Sequence, residues 1–166
     1  MNPEEIVHFL PSEEIFEKAK VIFDIQKNEL EVILPKVDIQ HVGSCAIPGA
    51  IGKFDIDVQI RVTKDQFNDV VDIMHKHYEP KHPEIWTDEF VAFSNNKDFL
   101  IDLVVTIIDY NKDDFYRVRD ALIDNPELLK EYNEMKMQFE GKLYGDYRKA
   151  KIEFLGGNGK VRFLKY

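Results

Sequence analysis

The chain has 166 residues, 44% hydrophobic and 32% charged, enough to bury one sizeable core but cramped for two. Its 22 basic and 31 acidic residues give a formal net charge of −9, which argues against a protein that wraps a nucleic-acid backbone. Cys45 is the only cysteine, which rules out an internal disulfide and a cysteine zinc cage, and no apolar run approaches the ~20 residues of a membrane span.

The amino terminus, MNPEEIVHFLPSEE, lacks the basic region and long apolar stretch of a secretory signal, so a cytoplasmic protein with no membrane partner is expected. Ser12 follows Pro11 and precedes Glu13 and Glu14, the pattern of a side-chain cap and a first turn that complements the helix dipole. Ile15, Phe16, Ala19, Ile22, Phe23, Leu30 and Leu34 then recur at helical spacing, which predicts an amphipathic helix over 12–34 that Pro35 stops. DIQHV predicts a short strand running into Gly43-Ser44. FDIDVQIRV alternates without a break from Phe54 to Val62 and predicts a longer one.

Residues 64–78 return to helical spacing. EIWTDEFVAFS and FLIDLVVTIID predict two further strands, joined by the polar tetrad Asn95 to Asp98 as a hairpin. From Asp113 to about Leu155 the pattern is helical, interrupted at Asn125-Pro126 and around Gly141 to Gly145. The tail GGNGKVRFLKY predicts a glycine turn and a short strand. The whole predicts one α/β (α+β) domain over 1–166, a small mixed sheet at about 37–109 flanked by helices, with a helical part at about 111–155.

The longer strand raises a chemical question. On a regular strand Asp55 and Asp57 point the same way, with α-carbons about 6.6 Å apart at ~3.3 Å rise per residue. Two carboxylates on one face repel unless solvated or bridged by cations, and magnesium takes oxygen ligands, commonly one or two carboxylates plus phosphate oxygens. Asp102 is the only charged residue of FLIDLVVTI. If that strand lies beside the first, the three acids converge on a site for one or two Mg2+ or Mn2+ ions. Gly43 lets the backbone approach a ligand closely, and Ser44 adds a hydroxyl donor for phosphate.

These residues resemble the nucleotidyltransferase signature of the DNA polymerase β superfamily: Gly-Ser, a gap, then Asp-x-Asp within a strand. LIDLV is similar to that superfamily's third-acid strand. The chain more closely resembles the GrpB family of small bacterial proteins, whose members carry a segment like HVGSTAVPGLAAKPIIDI. His41, Val42, Gly43, Ser44, Pro48, Gly49, Lys53 and Asp57 match it. FYRVRDALIDNPELLKEYNEMK and YRKAKIEFL are similar to later parts of that family, so the likeness runs from about residue 39 to 155. Cys45 stands where threonine is usual, and Phe54-Asp55 where Pro-Ile is usual, so this strand carries two aspartates where many members offer one.

What the resemblance implies is a nucleotidyltransferase fold. The expected function is metal-dependent transfer of a nucleotidyl group from a nucleoside triphosphate to a small-molecule or protein acceptor. The alternative is a non-catalytic nucleotide-binding or protein-interaction module on the same fold. Asp55, Asp57 and Asp102 are the expected catalytic and metal-binding residues. Gly43, Ser44, Lys53, Arg119 and Lys136 are the expected nucleotide contacts, the last two because they fall on family-like motifs, and His41 is an auxiliary candidate. Arg61 is a further cation on the expected acid face. Cys45 has no histidine–acid partnership to make it a nucleophile, and GGNGK lacks the spacing of a phosphate loop.

Overall fold

The computed structural model describes residues 2–34 and 36–157. The strand expected near the carboxyl end falls on residues 158–166, and the helix stop on Pro35; both lie outside the described residues. Among the described residues, five strands form one mixed sheet in the order β1-β2-β5-β4-β3. They are β1 (Asp38–Val42), β2 (Ile56–Val62), β3 (Glu79–Pro80), β4 (Phe90–Asn95) and β5 (Ile101–Ile107). β2 and β5 are parallel and central, while the other pairings are antiparallel.

Alternation gives the sheet two unlike faces. Ile56, Val58, Ile60 and Val62 of β2, with Leu103 and Val105 of β5, point to one side. There they pack against α1 (Ser12–Ile33) and α2 (Lys64–His77). α1 forms because Ile15, Ala19, Ile22, Gln26 and Leu30 fall on one buried stripe. Its first turn differs from the expectation: the Ser12 hydroxyl does not cap the helix but accepts from the Gly49 N–H at 2.8 Å, tying the Gly/Pro loop to α1. At α2, the Thr63 N–H donates to Gln66 Oε1 at 3.1 Å, half of a capping box.

The other face holds Asp57, Gln59 and Arg61 of β2 and Asp102, Val104 and Thr106 of β5, under the helical third of the chain. That third comprises α3 (Phe115–Asp124), α4 (Pro126–Met137) and α5 (Tyr144–Ile152). α4 starts at Pro126 as expected, with Asn125 Oδ1 accepting from the Leu128 N–H at 3.1 Å. A second small core of Ile47, Ala50, Leu122, Leu128, Tyr132 and Leu155 packs these helices onto the loop after Gly43.

Three expected strands start late, the last of them at Ile101 rather than Phe99. β2 begins at Ile56, not Phe54, because Phe54 takes a left-handed φ of 62° that takes it out of the pleat. The segment 84–94 begins with a short 3₁₀ turn at Pro83–Ile85, and a Thr87–Phe90 turn follows, so pairing starts only at Phe90. β3 was not expected; its Pro80 is tolerated because the strand lies at the sheet edge.

An extended amino-terminal segment completes the fold. Val7 N–H donates to Lys142 O and Gly141 N–H to Val7 O, each at 2.9 Å, and Tyr144 N–H donates to Glu5 O at 2.8 Å. Leu10 and Gly52 exchange backbone hydrogen bonds at 2.7 and 3.1 Å, so this strap joins the loop before α5 to the loop before β2.

Candidate active site

The site is built where β2 and β5 begin. Asp57 and Asp102 are direct partners in the parallel β2/β5 register, so their side chains emerge side by side on the same face. Asp55 reaches this place differently from the alternation argument: it lies in the loop before β2, beyond the kink at Phe54. Its carboxylate is near enough to Asp57 to act on it. Burial, then the Asp55 charge, and further on the Asp102 charge, push the Asp57 carboxyl up to about 7.

Gly43 sits against this pair. Its φ of 74° and ψ of −174° belong to a region essentially restricted to glycine, and a Cβ placed there would lie 2.0 Å from Asp57 Oδ2. The glycine of the Gly-Ser turn is therefore required both by its backbone and by the carboxylate beside it. Ser44 opens the following 3₁₀ turn, and its Oγ accepts from Lys136 Nζ at 2.7 Å. Lys136 is fully buried; it also donates to Ile51 O at 2.5 Å and lies 4.1 Å from the Tyr132 ring centroid. Burial pulls the Lys136 pKa down.

The lysines divide the acids between them. Lys53 Nζ donates to Asp55 Oδ2 at 2.5 Å, and Lys81 Nζ donates to Asp102 Oδ1. Burial acts to raise the Asp55 pKa, but the Lys53 charge and hydrogen bond hold it below the usual carboxylate range. Among the described residues, no hydrogen bond or ion pair falls on the Asp57 carboxyl. Lys151 of α5 is held charged by the groups around it, Tyr132 first, then Tyr147, Asp57 and Asp55.

Two cavities adjoin the acids. The larger, about 470 Å³, is lined by Ile6, His8, Lys53, Asp55, Lys81, His82, Leu100, Asp102, Tyr144 and Arg148. A smaller one, about 100 Å³, lies at the Gly-Ser turn, with Gly43, Ser44, Arg119, Tyr132 and Lys151 in its wall.

The structure thus brings together Gly43, Ser44, Lys53, Asp55, Asp57, Asp102 and Lys136. The remaining candidates are each held by other partners. His41 pairs with Val58, whose side chain faces the α1 side, and its ring stacks on Phe23 with centroids 4.6 Å apart. It lies on the opposite side of the sheet from the acids, and burial, then Arg119, lowers its pKa to about 4. Arg119 donates Nη1 to His41 O at 2.7 Å and Gln40 Oε1 at 3.0 Å, and Nε to Asp120 at 2.7 Å, so it braces β1 at the rim of the smaller cavity. Arg61 is held by Asp113 and Asp38, both at 2.7 Å, and does not turn to the acids. The Cys45 thiol is pushed up to about 12 by burial, then by Asp55 and Asp57, in keeping with an inert side chain.

Lys81, Tyr144 and Arg148 were not expected at the site, and Lys151 was only one of several cations that a triphosphate could use. Tyr144, Tyr147, Arg148 and Lys151 recur at i, i+3, i+4 and i+7, and that spacing alone could have marked one polar face of α5. Lys81 carried no such signal in HKHYEPKH. Among the described residues, no group of three His, Cys, Asp or Glu side chains is gathered so that it could hold a metal ion. The donor set is nevertheless of the kind a hard cation takes, and two lysine ammonium groups already stand on two of its carboxylates.

A mixed sheet that sets paired aspartates beside a Gly-Ser turn, under a cap of helices, defines an α/β domain with an acid-and-lysine cleft. The family model described as "GrpB protein" matches residues 14–157, and the chain belongs to the GrpB family. A UPF0157 protein of Vibrio cholerae serotype O1 is 29% identical over 133 residues, covering 78% of this chain and 71% of the relative. The crystal structure of the conserved protein GrpB from Enterococcus faecalis is similar at TM-score 0.63 and 18% identity, covering 84% of this chain and 93% of that one. A crystal structure of the Cid1 poly(U) polymerase with MgGTP bound is similar at TM-score 0.45 and 15% identity, over 76% of this chain and 45% of the polymerase. Among the described residues, no helix is long and apolar enough to cross a membrane.

Proposed function

We propose that this GrpB-family chain is a nucleotidyltransferase that moves a nucleotidyl group from a nucleoside triphosphate to the hydroxyl of a small-molecule or protein acceptor. The observation that carries the reading is the pairing of Asp57 with Asp102 beside a glycine that has no room for a side chain. Asp55, Asp57 and Asp102 would hold Mg2+ or Mn2+. Such a cation would supply charge neutralisation on the triphosphate and polarisation of its phosphoryl oxygens.

The chain's own residues position and neutralise. Ser44 and the Gly43 backbone receive phosphate oxygens, with Lys136 fixing the Ser44 hydroxyl. Lys53, Lys81 and Lys151 offset triphosphate charge. The acceptor oxygen bonds to the α-phosphorus, the bond from that phosphorus to the bridging oxygen breaks, and pyrophosphate leaves. Asp102 takes the acceptor proton or serves as a ligand. A net charge of −9 disfavours a nucleic-acid acceptor, and an enzyme that uses nucleoside triphosphates would work in the cytoplasm.

A second reading, a nucleotide-binding module without turnover, is favoured by one feature: Lys53 and Lys81 already neutralise two of the three acids. A thermal-shift panel of the four nucleoside triphosphates, with and without Mg2+ or Mn2+, on wild type and Asp57→Asn, tests both. A ligand at 100 times its Kd stabilises by about 2.7 kcal/mol, or about 5–10 °C for a chain of this size. The expected outcome is a metal-dependent rise that Asp57→Asn abolishes, with pyrophosphate release once an acceptor is supplied. A rise without release across acceptor panels selects the binding module, and no rise under any condition sinks both.

A further inference from the structure

Lys53 and Lys81 reach the acid cluster from separate places. Lys53 lies in the loop before β2, with its ammonium 5.2 Å from the Tyr144 ring centroid. Lys81 follows β3, where its backbone N–H donates to Ala92 O at 2.8 Å and its carbonyl accepts from Trp86 Nε1 at 3.0 Å. The Lys81 backbone is therefore fixed while its four-carbon stem can turn. Both lysines and both partner carboxylates line the 470 Å³ cavity. Each pair is only partly exposed, 18% and 22% for Lys53 and Asp55, 28% for both Lys81 and Asp102.

This arrangement sets two opposing costs. A divalent cation arriving alone must displace ammonium groups and leave them without a partner in the cavity. A polyanion arriving alone meets Asp55, Asp57 and Asp102. Arriving together, the cation takes the carboxylates and the polyanion takes the lysines. We infer that Lys53 and Lys81 are tethered counter-ions of the acid cluster, which compete with a divalent cation and turn to the triphosphate when the two ligands bind as a pair. The competition rests on the two contacts alone; the second half rests on the nucleotide reading above.

The probes are Mn2+ alone, followed by isothermal titration, and inorganic triphosphate with and without Mn2+, followed by thermal shift. Lys53→Met and Lys81→Met are each expected to tighten Mn2+ binding about five-fold in nucleotide-free protein, the upper range for one ion pair of this exposure. In wild type, Mn2+ and triphosphate together are expected to stabilise more than the sum of each alone, with a mutual affinity gain of about five-fold or more. That excess should shrink in the Lys53→Met/Lys81→Met double variant. Mn2+ affinity unchanged or weakened in both lysine variants overturns the inference, as does an absence of Mn2+ binding in every form.

Should a lysine variant lose cooperative unfolding, wild type with 13C-labelled lysine methylenes reports the same event. Titration with Mg2+ and triphosphate should shift the Lys53 and Lys81 signals, and unmoved signals overturn the proposal. Tightened Mn2+ binding with no response to triphosphate keeps the competition and sinks the nucleotide reading. A triphosphate response without tightening does the reverse.

Discussion

At Gly43 a single missing methyl group joins the backbone to the chemistry. Its dihedrals cost a non-glycine residue about 1–3 kcal/mol, and the Cβ would sit 2.0 Å from Asp57 Oδ2. Gly43→Ala is therefore expected to lower stability by at least that strain, read in urea unfolding, and to abolish any nucleotide-dependent thermal shift. Gly49, another glycine of positive φ, offers the contrast. Its φ is 83°, but a Cβ there would meet Leu129 Cδ2 at an ordinary 3.5 Å, so Gly49→Ala should cost stability from strain alone and leave the thermal shift in place. Gly43 was visible in the sequence because Gly-Ser precedes an acidic strand; that its neighbour is Asp57 in particular was not, since only the fold sets the two in contact.

At the scale of elements, β2 is held to its surroundings by polar bonds on the same face that carries the acid. Asp113 accepts from Arg61 Nε and Nη2 at 2.7 Å, from Gln59 Nε2 at 3.0 Å and from the Asp109 N–H at 2.9 Å. Asp113→Ala leaves Arg61 without its main partner, and breaking such a buried pair costs roughly 3–5 kcal/mol, measurable as a lowered denaturation midpoint. Burial opposes ionisation of Asp113, yet the Arg61 bonds and the Asp109 N–H hold its pKa below the ordinary value. Its contribution is therefore present above the ordinary carboxylate pKa and is lost as pH falls through the lower folded value, so wild type should lose its advantage over the variant in acid.

The alternation of β2 and the hairpin of β4 and β5 were legible because side-chain period and turn residues are local properties. The kink at Phe54 was not, since no glycine marks it and a left-handed phenylalanine is held only by its surroundings. Arg61 read as a cation of the acid face because Asp113, its partner, lies 52 residues away.

Across the whole molecule, the helical cap is fastened by the amino-terminal strap. Pro3, Glu5 and Val7 bond to the segment 141–145, Leu10 bonds to Gly52, and Glu140 accepts from the Phe9 N–H at 2.8 Å and lies 2.6 Å from His8 Nδ1. Phe9 also packs edge-on against Tyr147, with centroids 5.1 Å apart. Removal of residues 2–9 is expected to speed amide exchange at Tyr144 and Gly145 by about ten-fold or more while leaving β2 and β5 protected, which hydrogen-exchange mass spectrometry would resolve.

Ile6 and His8 also form part of the wall of the larger cavity, which Asp55 and Asp102 line as well. The strap is therefore a drawstring for the cleft: a variant that loosens it is expected to change ligand access before it unfolds the sheet.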